Sequence, residues 1–217
     1  MADSPLLDSL PPEQRLALAY APQTSRALFL GVFALDAKLA GIVRGAREPM
    51  LAQLRLAWWR ERLAPGVATT APKGEPILAA LAPLQGQDGD LAALVDGWEA
   101  LLLADPLDAA AISAFADGRS AAMAALAGLL RGADDEARRA GRQWALADLA
   151  SRIGLPQERA QVLEIITAED WQRARLARDL RPLAVLHGLA RRHRGARPLV
   201  TGPGSLLAAI RLGVTGF

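Results

Sequence analysis

Carboxylates and guanidinium groups are the reactive side chains this sequence offers in number. Its 217 residues include 23 Asp and Glu, and 25 Lys and Arg of which all but Lys38 and Lys73 are Arg; there are two His and no Cys. Without Cys there are no disulfides, thiol nucleophiles, or Cys-based zinc or iron–sulfur sites. His187 and His193 leave little for an imidazole metal centre. What remains is hard-cation chemistry, in which Mg²⁺ is held by one or two carboxylates together with substrate phosphates. Carboxylates at i and i+4 share a helix face and suit that task. Arginine offers the complementary chemistry, bidentate contact with phosphate or carboxylate.

The acids do not gather in that pattern. Asp36 stands alone. Asp134-Asp135-Glu136 reads as the first turn of a helix, where the dipole favours acids, and Glu169-Asp170 reads as a similar N-terminal turn. Asp88 and Asp90 lie in a Gly-rich turn that lacks the further acids of a calcium loop. Residues 75–108 carry seven acids and no base, whereas residues 173–197 carry eight Arg and one acid, Asp179. The basic stretch is expected to be a solvated face that also pairs with the acidic segment. A net charge of +2 is unlike that of a dedicated nucleic-acid binder. His187 and His193 read as satisfied or surface residues, and Trp58, Trp59, Trp98, Trp144 and Trp171 as packing. Gly202-Pro-Gly204 reads as a turn without the lysine of a phosphate loop.

The elements that must position these groups are helices. Ala and Leu dominate and β-branched residues are few, which disfavours strands. Proline and glycine divide the chain, and helices are expected at about 12–20, 24–44, 49–64, 76–84, 90–104, 109–131, 134–153, 156–167, 168–180, 182–194 and 205–214. Thr24 or Ser25 is expected to cap the second helix, and Asp105 to cap the helix after 105. A Pro-, Gly- and Thr-rich loop is expected at about 65–75. In the second helix Arg26, Leu30, Phe33, Ala37, Ala40 and Arg44 fall on one stripe; in the third, Ala52, Leu56, Trp59 and Leu63 are the apolar positions. The first residues lack a basic, apolar leader, and no uncharged apolar run reaches the ~18–20 residues of a spanning helix. A cytoplasmic chain, at most peripheral to an inner membrane, is expected.

Two segments, Ala34-Leu-Asp-Ala-Lys-Leu-Ala-Gly-Ile-Val-Arg44 and Gln53-Leu-Arg-Leu-Ala-Trp-Trp-Arg60, followed much later by Leu180-Arg-Pro-Leu-Ala184, resemble the squalene/phytoene synthase family. The resemblance implies an all-α, single-domain helical bundle or barrel of the isoprenoid synthase type over residues 1–217. In the enzymes of that family two acidic clusters face each other across a central cavity and hold Mg²⁺ on prenyl diphosphates. Aligned on the helix, the acidic positions fall on Ala40, Gly41 and Arg44, with Asp36 one turn earlier. The second cluster aligns on Gly141–Arg152, with Arg152 at the first acidic position and Asp148 where the family often has asparagine, so neither cluster is kept.

The resemblance is closest to the branch with degraded acidic motifs that resembles a mitochondrial complex I assembly factor. It implies a non-catalytic protein without a cofactor, acting on a protein partner or a membrane surface. Arg26, Arg44, Arg47, Arg55 and Arg152 would then face a cavity with Asp36, Trp59 and Asp148. That cavity either binds an anionic head group such as a prenyl or lipid diphosphate, or closes on internal acids such as Asp36, Asp148 or Glu48. Arg173, Arg175, Arg178, Arg191 and Arg192, with Leu206, Leu207, Ile210 and Leu212 of an amphipathic end, would supply the contact surface. The alternative is a transferase condensing prenyl diphosphates with Mg²⁺. The third reading is an Arg-rich nucleic-acid binder, which the near-neutral charge disfavours.

Overall fold

The computed structural model describes residues 5–64, 75–84 and 86–215. Among these the fold is all-α, with no strand. The helices are α1 (Pro5–Asp8), α2 (Pro12–Ala19), α3 (Gln23–Arg44), α4 (Pro49–Arg62), α5 (Pro76–Leu81), α6 (Asp88–Leu103), α7 (Ala109–Leu129), α8 (Asp134–Arg152), α9 (Pro156–Ala168), α10 (Arg181–His193) and α11 (Gly202–Thr215). Most of the expected loop at 65–75 lies outside the described residues. No described helix is long and apolar enough to cross a membrane.

Prolines begin α2, α4, α5, α9 and α10 within their first turns, where a missing N–H breaks no helical hydrogen bond. Capping departs from expectation at two places. α7 is capped by Asp108 rather than Asp105, its carboxylate accepting from the Ala111 N–H at 2.7 Å. α3 begins at Gln23 without a side-chain cap. Thr24 instead donates its hydroxyl to Asp179 at 2.6 Å, a contact across the fold that competes with capping.

The largest departure is at 168–180, where no α-helix forms. The chain leaves α9 at Glu169 and runs without regular structure to a short 3-10 turn at Arg178–Leu180. Side chains of other helices take up its backbone groups. Gln143 donates to the Asp170 carbonyl at 2.6 Å, Arg191 to that of Trp171 at 2.9 Å and Arg139 to that of Gln172 at 2.9 Å, while the Arg175 N–H donates to Glu136 at 2.8 Å. Backbone polar groups must be paired somewhere, and here distant side chains outcompete the helix. Glu169-Asp170 therefore starts no helix. At the C-terminal end, Gly202–Gly204 belongs to the first turn of α11 rather than to a separate turn.

One hydrophobic cluster draws residues from Leu10 to Leu212. α7 packs between α6 and α8, α3 lies against α5 and α6, and α10 against α8, α2 and α11. Two glycines bring α6 and α7 unusually close. A Cβ on Gly118 would sit 2.3 Å from the Ala93 carbonyl oxygen, and one on Gly97 would sit 2.9 Å from that of Ala114. The buried side of α3 is Phe29, Val32, Phe33, Asp36, Leu39 and Ala40. That stripe is rotated from the expected one, so Leu30 and Ala37 are only half-buried and Arg44 is exposed. In α4 the expected apolar positions Ala52, Leu56 and Trp59, with Leu63 just beyond it, are all buried.

Candidate functional site

Asp36 is a charged residue in the middle of the core face of α3, and it is 2% exposed. A carboxylate taken out of water needs partners of comparable strength. It finds them on three other helices. Arg119 of α7 meets it with both arms, Nε donating to Oδ1 at 2.9 Å and Nη2 to Oδ2 at 2.8 Å. Trp98 of α6 donates its indole N–H to Oδ1 at 2.9 Å, and Gln14 of α2 its amide to Oδ2 at 2.8 Å. The close approach of α6 and α7 at Gly97 and Gly118 sets Trp98 and Arg119 side by side for this.

The remaining arm of Arg119 reaches α8, where Nη1 donates to Asp148 Oδ2 at 2.8 Å. Its guanidinium plane lies in an aromatic cage, 4.6 Å from the Trp144 ring centre, 4.7 Å from Phe115 and 5.2 Å from Trp98. Arg119 is 4% exposed. Burial pushes its pKa down, but Asp36 and then Asp148 raise it by more, so the net direction is up and the cation is fixed. Asp148 Oδ1 accepts from Arg152 Nε at 2.8 Å, and Arg152 continues to Glu13 of α2.

The cluster holds three acids and two arginines. The odd acid is Glu13, whose carboxyl is pushed up first by burial and then by Asp148, against the pull of Arg152.

Arg119 is the member of the cluster that the sequence expectations did not include. Its signal is faint but present. It is the one basic residue in the Ala-rich run 109–130, and a lone cation in so apolar a run calls for an acid partner.

The other expected site residues are dispersed. Arg152 joins the cluster, Trp59 is buried in the core, and Arg26 is half-buried with its guanidinium donating to the Leu18 carbonyl at 2.6 Å. Arg44, Arg47 and Glu48 are exposed, and exposed Arg55 lines a separate cleft. The five arginines therefore do not converge on one cavity. Solvent satisfies Arg44 and Arg47 at the end of α3 and beyond it more cheaply than burial would.

Further along the chain, Arg173, Arg175, Arg178 and Arg192 are exposed, and Arg191 is half-buried against the Trp171 carbonyl. Three acids of 75–108 pair elsewhere, Asp96 and Glu99 with Arg60 and Asp90 with Arg138. On α11, Leu206, Leu207 and Ile210 face outward while Leu212 is buried.

No protein-family model, curated protein or solved structure matches the chain.

The donor set bears on the metal that the family resemblance implies. Mg²⁺ requires carboxylate oxygens turned toward it. The oxygens of Asp36 accept four hydrogen bonds, and those of Asp148 accept from two guanidinium groups. A divalent cation between the two acids would also meet the Arg119 guanidinium. This pair of carboxylates does not fit a Mg²⁺ site. Among the described residues no group of three or more His, Asp or Glu is placed to hold a metal.

Proposed function

We propose that the chain is a non-catalytic protein of the squalene/phytoene synthase-like kind that works by contact rather than by turnover. The observation that carries this reading is the Arg119 guanidinium bridging Asp36 and Asp148. One carboxylate stands on each of the two helices that the resemblance assigns to metal binding. Both are engaged by an arginine of the chain itself, in a core that leaves no room for substrate beside it.

The contact surface in this reading is α11 with its flanking arginines. Leu206, Leu207, Ile210 and Val214 are exposed by 46–68%, and their spacing puts them on one stripe. Buried Ser205, Ala209 and Leu212 hold the opposite stripe against the fold. Exposed Arg192 and Arg211 flank this face. An apolar stripe beside cations suits an anionic membrane surface.

Two measurements test the reading. Incubation with farnesyl diphosphate and Mg²⁺ should release no diphosphate above the protein-free rate, and enzyme-dependent release would restore the transferase alternative. The full chain should co-sediment with phosphatidylglycerol vesicles, and the pair Leu207→Asp and Ile210→Asp should abolish this. Unchanged sedimentation of that pair would remove α11 as the contact.

A further inference from the structure

The face of α3 opposite Asp36 is built differently. Ala34, Ala37 and Gly41 recur there as small residues, and a cleft of about 1000 Å³ opens between them, α4 and the starts of α1 and α5. This is the upper end of the ~300–1,000 Å³ range of small-molecule pockets. Its floor is apolar, from buried Ile42, Trp59 and Ile77. Its wall on α4 is half-buried Trp58 with Leu51 and Leu54, which remain 49% and 63% exposed. Large apolar side chains left open around a concave apolar floor mark a surface that something covers.

Two cations line the same cleft, Lys38 from α3 and Arg55 from α4. Neither has a hydrogen-bond or ion-pair partner among the described residues. The acid of the cleft, Glu75, is turned onto its own helix and accepts from the Ile77 N–H at 3.3 Å. The cleft thus combines an apolar trough with two cations that form no ion pair with Glu75 or with any other described residue.

We infer that this cleft binds a single-chain amphiphile with an anionic head group, a carboxylate or a phosphate. The hydrocarbon chain lies along Ala34, Ala37 and Gly41 against Trp58 and Trp59, and the head group is held by Lys38 and Arg55. Charge complementarity selects this occupant over a neutral lipid, since a neutral head would leave both cations unmatched. The site is separate from the Asp36–Arg119–Asp148 cluster, because it lies on the other side of the helix. It does not depend on the membrane reading of α11.

The probes are a series of saturated fatty acids of increasing chain length and lysophosphatidylglycerol, titrated into the full chain below their micellar concentrations. Dodecyl maltoside is the neutral control, and inorganic phosphate tests the head group alone. Titration calorimetry and Trp fluorescence give the readout. The expected result is saturable binding of one amphiphile per chain, tightening by up to roughly fourfold for each methylene added. Fatty acid and lysophospholipid arms then tell which head group is preferred.

Gly41→Trp should abolish binding with the far-UV spectrum and Tm kept, because a Cβ there meets nothing within 4 Å. Lys38→Glu with Arg55→Glu should weaken the anionic probes by about tenfold or more and leave dodecyl maltoside unaffected. The inference is overturned by absence of saturable binding, by equal affinity for the neutral control, or by Gly41→Trp binding as the wild type does. A concentration-dependent dimer that Gly41→Trp disperses, with no amphiphile bound, would assign the cleft to a second copy of the chain and overturn it too. Vesicle co-sedimentation should be unchanged in Gly41→Trp, which separates this site from α11.

Discussion

Asp36 and Lys38 are two residues apart on one helix, and so about 200° apart around it. The environments they face obey opposite rules. On the Asp36 side every charge is answered within the chain: Asp36 by Arg119, Trp98 and Gln14, and Asp148 by Arg119 and Arg152. On the Lys38 side two cations stand beside apolar walls with no partner among the described residues. Burial accounts for the difference. A charge in the core that lacks a counter-charge destabilises the fold outright, whereas a charge at a cleft mouth is hydrated until a ligand displaces the water. The inner cluster therefore speaks to stability, and the outer pair to binding.

The sharpest way to break this contrast is Arg119→Met. The substitution keeps much of the side-chain volume within the aromatic cage but leaves two buried carboxylates facing each other. Removing one partner of a buried pair costs about 3–5 kcal/mol, and urea unfolding should register a loss in that range. Adding Asp36→Leu and Asp148→Leu should recover part of it, because the uncompensated buried carboxylates are gone while the Trp98 and Gln14 donors lose their acceptor. A loss below about 1 kcal/mol in Arg119→Met, the ordinary cost of a point mutation, would mean the cluster does not hold the core.

The inner cluster was half legible in the sequence. Asp36 stands out as the one acid of α3, and Asp148 as the acid within the apolar run 144–150 of α8, while Pro12, Pro49, Pro76, Pro156 and Pro182 announce five of the helices. Arg119 was only faintly legible as the lone base of its Ala-rich run, because its partners depend on α6 and α7 crossing closely at Gly97 and Gly118, a tertiary fact. The same holds for 168–180. Its composition suits a helix, and it stays non-helical because Gln143, Arg139 and Arg191 reach its carbonyls from α8 and α10. Arg44 and Arg152 look alike in an alignment, yet one ends a helix in solvent and the other closes the cluster. The cleft on the far side of α3 left only the small-residue spacing Ala34, Ala37, Gly41, which sequence alone cannot tell from ordinary packing.

A second buried group shows the other response to burial and gives an effect of intermediate size. His187 on α10 is 3% exposed, and its Nε2 pairs with Gln143 Oε1 at 2.7 Å. Burial, and then Arg191 and Arg139, push its pKa down to about 3, with Glu136 pulling weakly the other way. Arg119 keeps its charge because acids surround it, and His187 gives up its charge because burial disfavours the cation and nearby arginines add to that. The folded pKa lies below the unfolded one, so the unfolded chain binds the extra proton between about pH 6.5 and 3. This contribution is complete above pH 6.5 and is lost as pH falls through that window. From pH 7 to pH 5 the loss is about 2 kcal/mol. Urea midpoints at the two pH values should differ accordingly, and His187→Gln should narrow the difference. An unchanged pH response in that variant would mean His187 charges freely.

The smallest effect belongs to the outer pair and is the converse of the first. Lys38→Ala and Arg55→Ala should each leave stability within about 0.5 kcal/mol of the wild type, as for surface positions generally. Both side chains are exposed and neither is held by the fold. Paired thermal and urea unfolding of the two variants checks this. A loss of 1 kcal/mol or more in either would show that the cation is bracing α3 or α4, leaving the cleft without a spare charge to offer a ligand. Near-silence in stability, set beside weakened binding of anionic amphiphiles, is the combination that a structural brace cannot produce.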